Sequence, residues 1–173
     1  MKKLSIKKYA LLSAIIALGI VLDQVSKILT VKFIPFRGDV PIIKNFFSLT
    51  YITNEGAAWG MFDDARWVFM SVSTVAIIGM LIYLYLGFAQ NTLYEISLAI
   101  IISGGIGNMI DRIALGHVVD MLHAVFINFP VFNVADSFVC IGAGMLILAM
   151  VLDIVKESRE NKAKEKENAT DGN

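Results

Sequence analysis

The sequence predicts an all-α polytopic membrane protein: four transmembrane helices, with a small β-containing extracytoplasmic subdomain in the first outer loop. Three observations carry this. Of its 173 residues 57% are hydrophobic, and the mean hydropathy is +0.69, whereas soluble domains are roughly 45–50% apolar. Four stretches reach the roughly 20 apolar residues that a helix needs to cross the hydrocarbon core. They run from about Tyr9 to Val31, Trp67 to Phe88, Leu93 to Ile113 and Val134 to Val155. The link from Lys32 to Arg66 is too long for a simple connector, and its Phe46–Tyr51 run is aromatic and β-branched, as strands are.

The first span follows Lys2, Lys3, Lys7 and Lys8. A basic start before an apolar run resembles a signal peptide. This run is too long for one, however, and Asp23 and Lys27 fall where a cleavage region belongs. A retained span is expected. The second span has no formal charge, and a short uncharged link near Ala89–Thr92 leads to the third. The fourth ends before Lys156, Arg159, Lys162, Lys164 and Lys166. Both termini are basic, and an even number of spans puts them on one side, which the distribution of Lys and Arg marks as cytoplasmic. Residues 1–155 thus form one four-span domain with its outer subdomain at 32–66. The alternating Lys/Glu tail, 156–173, reads as a fraying helix leading into disorder. In the outer loop, Trp59, Phe62 and Trp67 suggest an amphipathic element at the outer leaflet, a depth that aromatics favour.

Other features exclude functions. Zero formal net charge gives no basic surface for nucleic acid. The single cysteine, Cys140, lies in an apolar run without neighbours that activate a thiol, and reads as buried and structural. Ser103 and, in GGIGNM, Gly104, Gly105 and Gly107 follow no strand, so they read as small residues for close helix packing rather than a phosphate loop.

Function is read from the costly polar groups. A charge at the bilayer centre costs roughly 2.5 to 3.5 kcal/mol on insertion scales and is a functional hypothesis by default. With the topology above, Asp23 and Lys27 lie in the outer half of span one. Asn54 lies in the outer loop. Asn108, Asp111 and Arg112 end span three, Asp120 follows in the outer connection, and Asn133 and Asp136 begin span four. Five separate stretches place polar groups at one depth, whereas unrelated structural accidents would scatter across both leaflets.

Asp23 and Lys27, at i and i+4, suit an ion pair. Asp111 and Arg112 suit a helix end whose charges reach water, with Arg112 also able to hold a carbonyl or carboxylate by paired hydrogen bonds. Asn54 suits a turn. Asp120 and Asp136 follow apolar or small residues with no preceding basic partner. Two carboxylates held close keep one proton between them. One can then take a proton from water while the other protonates a carbonyl oxygen, which hydrolyses a peptide bond without metal or covalent intermediate. His117, Asp120 and His123 could ligate a metal, but HxxDxxH lacks the usual zinc arrangement. Transport is the serious alternative. It needs polar groups at the midplane, where span two and the inner half of span three carry almost none.

The motifs in order are VLDQVSK, TNEGAAWG, GNMIDR, VVD and FNVADS. With them the chain resembles the bacterial lipoprotein signal peptidases, or signal peptidases II, over nearly its whole length. The resemblance implies an aspartic endopeptidase of the bacterial inner membrane with no cofactor. Such enzymes cut prolipoproteins just before a diacylglyceryl-modified cysteine and are targets of the cyclic peptide globomycin. It implies Asp120 and Asp136 as the catalytic pair, and Asn54, Gly56, Asn108, Arg112 and Asn133 as substrate-binding residues. Asp23, Lys27, Asp111 and Ala135 become supports of the site. Trp59 and Met121 stand where the family usually has Phe. The substrate's acyl chains can remain in lipid, the Phe46–Trp67 loop is expected to cap the site, and a monomer suffices.

Overall fold

The computed structural model describes residues 5–54, 66–89 and 91–171. The elements are α1 (Ile6–Phe33), β1 (Asp39–Ile43), β2 (Phe47–Asn54), α2 (Arg66–Tyr85), α3 (Thr92–Ala114), β3 (Val118–Ala124) and α4 (Val134–Asp171). Among the described residues α1, α3 and α4 are long and apolar enough to cross a membrane, and α2 adds a shorter apolar stretch, Met70–Tyr85. Their outward faces remain uncovered by protein: Leu18, Leu22, Val72, Val75, Ile147 and Leu148 are all exposed. Lipid is the solvent that makes such a surface stable.

The central helix is α3, which packs on α1, α2 and α4. At the end of the bundle holding the N-terminus, Leu12, Ile16, Ile77, Leu84, Leu98, Ala99 and Ile102 form a dry apolar core. Ser5 caps α1, and Asn91 caps α3 by accepting from the amides of Leu93 and Tyr94 at 2.9 and 3.2 Å. Toward the other end small residues let the backbones close in. A Cβ on Gly104 would collide with the carbonyl oxygen of Ala135, and one on Gly107 would stand 2.5 Å from Asp23 Oδ2. Gly104 and Gly107 therefore serve the close packing of α3 against α4 and α1, and Gly105 faces Ile77 of α2.

The three strands form one antiparallel sheet in the order β1-β2-β3. β2 was legible from its aromatic and β-branched residues. β1 was not: its Pro41 removes a ladder donor, which only an edge strand tolerates, and β1 is at the edge. β3 was read as part of a connection. Its first four residues, Val118 to Met121, are all buried, so no alternation of apolar and polar residues marks it as a strand. The outer subdomain thus draws its third strand from the link between α3 and α4.

Two further expectations change. Cys140 is exposed, on an outward face of α4, and not buried. The charged tail continues α4 as a helix to Asp171, where pairs such as Lys156–Glu160 at 3.9 Å sit one turn apart, a spacing that supports isolated helix. Gly56, Ala57, Trp59 and Phe62 lie outside the described residues, as does the 55–65 part of the loop expected to cap the site.

Candidate active site

The sheet, the C-terminal ends of α1 and α3 and the N-terminal end of α4 meet at one end of the bundle, where the polar residues singled out from the sequence converge. Lys27 is the hub. Its ammonium lies 2.9 Å from Asp23 Oδ2 and 3.0 Å from Asp111 Oδ2, and donates to Asn108 Oδ1 at 3.0 Å. Three donors thus meet three acceptors, and the side chain is only 4% exposed. A buried charge is tolerable when paired and fully hydrogen-bonded in this way.

Both acids on this hub also hold a second element. Asp23 Oδ1 accepts from the Ala135 amide at 2.9 Å, which ties α1 to the first turn of α4. Asp111 Oδ2 accepts from the Val119 amide at 3.1 Å, which ties α3 to the start of β3. Ala135 precedes Asp136, and Val119 precedes Asp120. The two acids therefore fix the backbone beside each of the two remaining carboxylates.

Asp136 sits in the first turn of α4. The Asn133 amide donates to its Oδ2 at 3.0 Å, and its own amide donates to Asn133 Oδ1 at 2.8 Å. This reciprocal pairing is a capping box, and it satisfies helix amides that would otherwise lack partners. Asn108 Nδ2 adds a bond of 2.8 Å to Asp136 Oδ1. Asp120, on β3, accepts from Asn133 Nδ2 at 2.7 Å and Asn54 Nδ2 at 3.1 Å. Burial, and then the charge of the nearby Asp136, push the Asp120 carboxyl up to about 7, partly offset by the Asn54 and Asn133 amides.

The two bridging amides have defined orientations. Lys27 has only donors, so the atom of Asn108 facing it is Oδ1. The Asp136 amide is a donor, so the atom of Asn133 facing it is Oδ1. The remaining contact, Asn133 Nδ2 to Asn108 Oδ1 at 3.0 Å, agrees with both. Arg112 reaches back to the Asn108 carbonyl oxygen at 3.4 Å, and its charge acts on both Asp136 and Asp120.

Every described residue among the predicted site positions enters this cluster: Asp23, Lys27, Asn54, Asn108, Asp111, Arg112, Asp120, Asn133, Ala135 and Asp136. Gln24, a polar interruption of span one within VLDQVSK, also enters the cluster without being a predicted site residue. Its amide nitrogen lies 3.0–3.1 Å from Asp23 Oδ2, the Gly107 carbonyl and Asp111 Oδ1. A polar residue beside Asp23 in an apolar span was the available signal. His123 turns away from Asp120, toward Ser48 at 3.4 Å and Asp39 at 3.9 Å. On a strand, a spacing of three puts two side chains on opposite faces, so the HxxDxxH spacing does not gather a site here.

The family model Peptidase A8, signal peptidase (SPase) II, matches residues 15–152. A lipoprotein signal peptidase of Clostridium tetani is 40% identical, covering 84% of this chain and 96% of the relative. That of Enterococcus faecalis is 40% identical over 94% of this chain and 95% of its own. That of Caldanaerobacter subterraneus subsp. tengcongensis is 46% identical, covering 79% and 93%. A bacterial membrane enzyme solved by the in meso method at 2.3 Å superposes with a TM-score of 0.79 at 28% identity, covering 84% of this chain and 90% of that one. A second, at 1.9 Å, gives 0.75 at 28% identity, covering 82% and 92%. The chain is a multi-pass bacterial membrane protein and belongs to the signal peptidase II family of aspartic peptidases.

Proposed function

We propose that Asp120 and Asp136 are the catalytic pair with which this chain removes signal peptides from prolipoproteins. One observation carries the assignment: a single asparagine, Asn133, bonds both carboxylates. The other two acids of the cluster are already held by Lys27 and by backbone amides. Asp120 and Asp136 are the pair left for chemistry. One carboxylate takes a proton from water as the oxygen attacks the scissile carbonyl carbon, and the other gives its proton to the carbonyl oxygen. Collapse of the tetrahedral intermediate breaks the C–N bond, and the departing nitrogen takes up the proton that came from water.

The substrate is a prolipoprotein with a diacylglyceryl-modified cysteine just after the scissile bond. Its acyl chains stay in membrane lipid while the peptide reaches the pair from the side. Asn54, Gly56, Asn108, Arg112 and Asn133 bind the peptide backbone, and Asp23, Lys27, Asp111 and Ala135 support the site. The Phe46–Trp67 loop closes over it, and a globomycin-type cyclic peptide blocks the pair. The enzyme acts as a monomer in the cytoplasmic membrane, with both termini cytoplasmic and the site near the outer face. Exposed Phe33, Phe36, Phe46, Trp67, Phe126 and Phe129 at the sheet end support that depth, and Lys7, Lys8, Lys156 and Arg159 at the other end support the orientation. The test is Asp120→Asn and Asp136→Asn, each alone, on a diacylglyceryl-modified prolipoprotein, read by the mobility shift on cleavage. Both variants are expected to fold and to lose cleavage by 10³-fold or more, on the order seen for catalytic groups. Near-normal turnover by either sinks the pair.

A further inference from the structure

The two carboxylates stand on different backbones. Asp136 is in the first turn of α4, where the helix dipole favours negative charge. It accepts from a backbone amide, Asn133 N at 3.0 Å, and from Asn108 Nδ2 at 2.8 Å. Asp120 is in a strand, whose backbone has almost no net dipole. It is 2% exposed and accepts from two side-chain amides, at 2.7 and 3.1 Å. The charged groups around the pair are Asp23 and Lys27 on α1 and Asp111 and Arg112 on α3. Lys27 is paired with Asp23 and Asp111, and its charge and that of Arg112 act on both members of the pair, so neither cation separates them.

Resting on the catalytic pair proposed above, we infer that its roles are divided: Asp136 is the ionised general base and Asp120 the protonated general acid. When two neighbouring carboxylates share one proton, the proton stays on the one whose anion is held less well, and here the helix end holds Asp136 better. The position of Asp120 near 7 agrees with this. Water therefore gives its proton to Asp136 as its oxygen bonds to the carbonyl carbon. The Asp120 proton moves to the carbonyl oxygen. On collapse the departing nitrogen takes the proton from Asp136, the gem-diol hydroxyl returns one to Asp120, and the pair regains its starting state.

Asn54 separates the two members, since its amide donates to Asp120 Oδ2. The experiment compares pH profiles of kcat/KM for purified full-length protein and its Asn54→Ala variant on a lipidated lipobox peptide. Loss of a donor to the anion raises the pKa of Asp120. The alkaline limb, where the acid loses its proton, is expected to move up by about one pH unit, with the acid limb in place. Movement of the acid limb instead, or of neither limb, overturns the division of roles while leaving the pair intact. Only loss of the effect of Asp120→Asn or Asp136→Asn removes the pair itself. If Asn54→Ala abolishes turnover, infrared difference spectra of the same folded variant decide at a pH between the two limbs. A shifted protonated-carboxyl band assigns the proton to Asp120, and an unshifted one overturns the assignment. If the alanine variant does not fold, Asn54→Ser carries both readouts.

Discussion

Each end of the bundle pairs a lysine with a buried acid, and the two ends use the pairing differently. At the end holding the N-terminus, Lys8 of α1 pairs with Glu95 of α3. The Lys8 side chain is 27% exposed, and its Nζ also donates to Thr92 Oγ1 at 3.5 Å. This is one clasp between two helices that an apolar core already joins. At the other end Lys27 is nearly inaccessible, and each acid it holds also binds a backbone amide of another element. There the polar network replaces the apolar core as the material that joins α1, α3, β3 and α4. The same residue types thus make a local clasp in one place and a framework in the other, according to how many elements end on them.

The largest effect expected from breaking this contrast is Lys27→Met. It leaves Asp23 and Asp111 buried without their cation, a change that costs about 3–5 kcal/mol for buried pairs. Thermal unfolding in detergent should show it, and a variant as stable as the parent would make the hub a bystander. Next comes the pH dependence of Asp120. Its carboxyl ionises near 3.8 in an unfolded chain and near 7 in the fold, so between those values the folded state holds more protons. Its contribution to stability is complete below this window and is lost as pH rises through it, by up to about 1.4 kcal/mol per pH unit. Asp120→Asn should flatten that slope between pH 4 and 7, and parallel unfolding curves for the two proteins would contradict it.

Gly104→Ala sharpens the contrast through packing. Its methyl group must displace the Ala135 backbone, at a cost of about 1–3 kcal/mol, and activity should fall with stability. Gly79→Ala on α2 meets nothing within 4 Å and should be neutral or stabilising by up to about 1 kcal/mol. The smallest effect expected is Glu95→Gln. Its lysine is partly solvated, so a cost of about 1 kcal/mol or less is expected, with cleavage unchanged. If this change matched Lys27→Met, the two ends would be equivalent.

Much of this was legible in the residues. The apolar lengths announced the four helices, because a helix that crosses lipid must be about 20 apolar residues long. The polar motifs announced a polar cluster at one end of the bundle, because carboxylates and amides inside such helices survive only where they are used or paired. The aromatic run at Phe46–Tyr51 announced β2. What stayed hidden depended on contacts distant in sequence. β3 was hidden because tertiary packing covers both its faces, which erases the alternation that reveals strands. Gln24 was hidden because its acceptors lie 83 and 87 residues away. Cys140 was misread because an apolar run does not tell which side of a helix meets protein and which meets lipid. In this protein, then, the sequence by itself determined the membrane class, the spans and the chemical groups available, since these follow from local length, hydropathy and residue type. Only the tertiary structure decided which acids are spent on Lys27 and which two are joined through Asn133. That division depends on which elements converge at one end of the bundle.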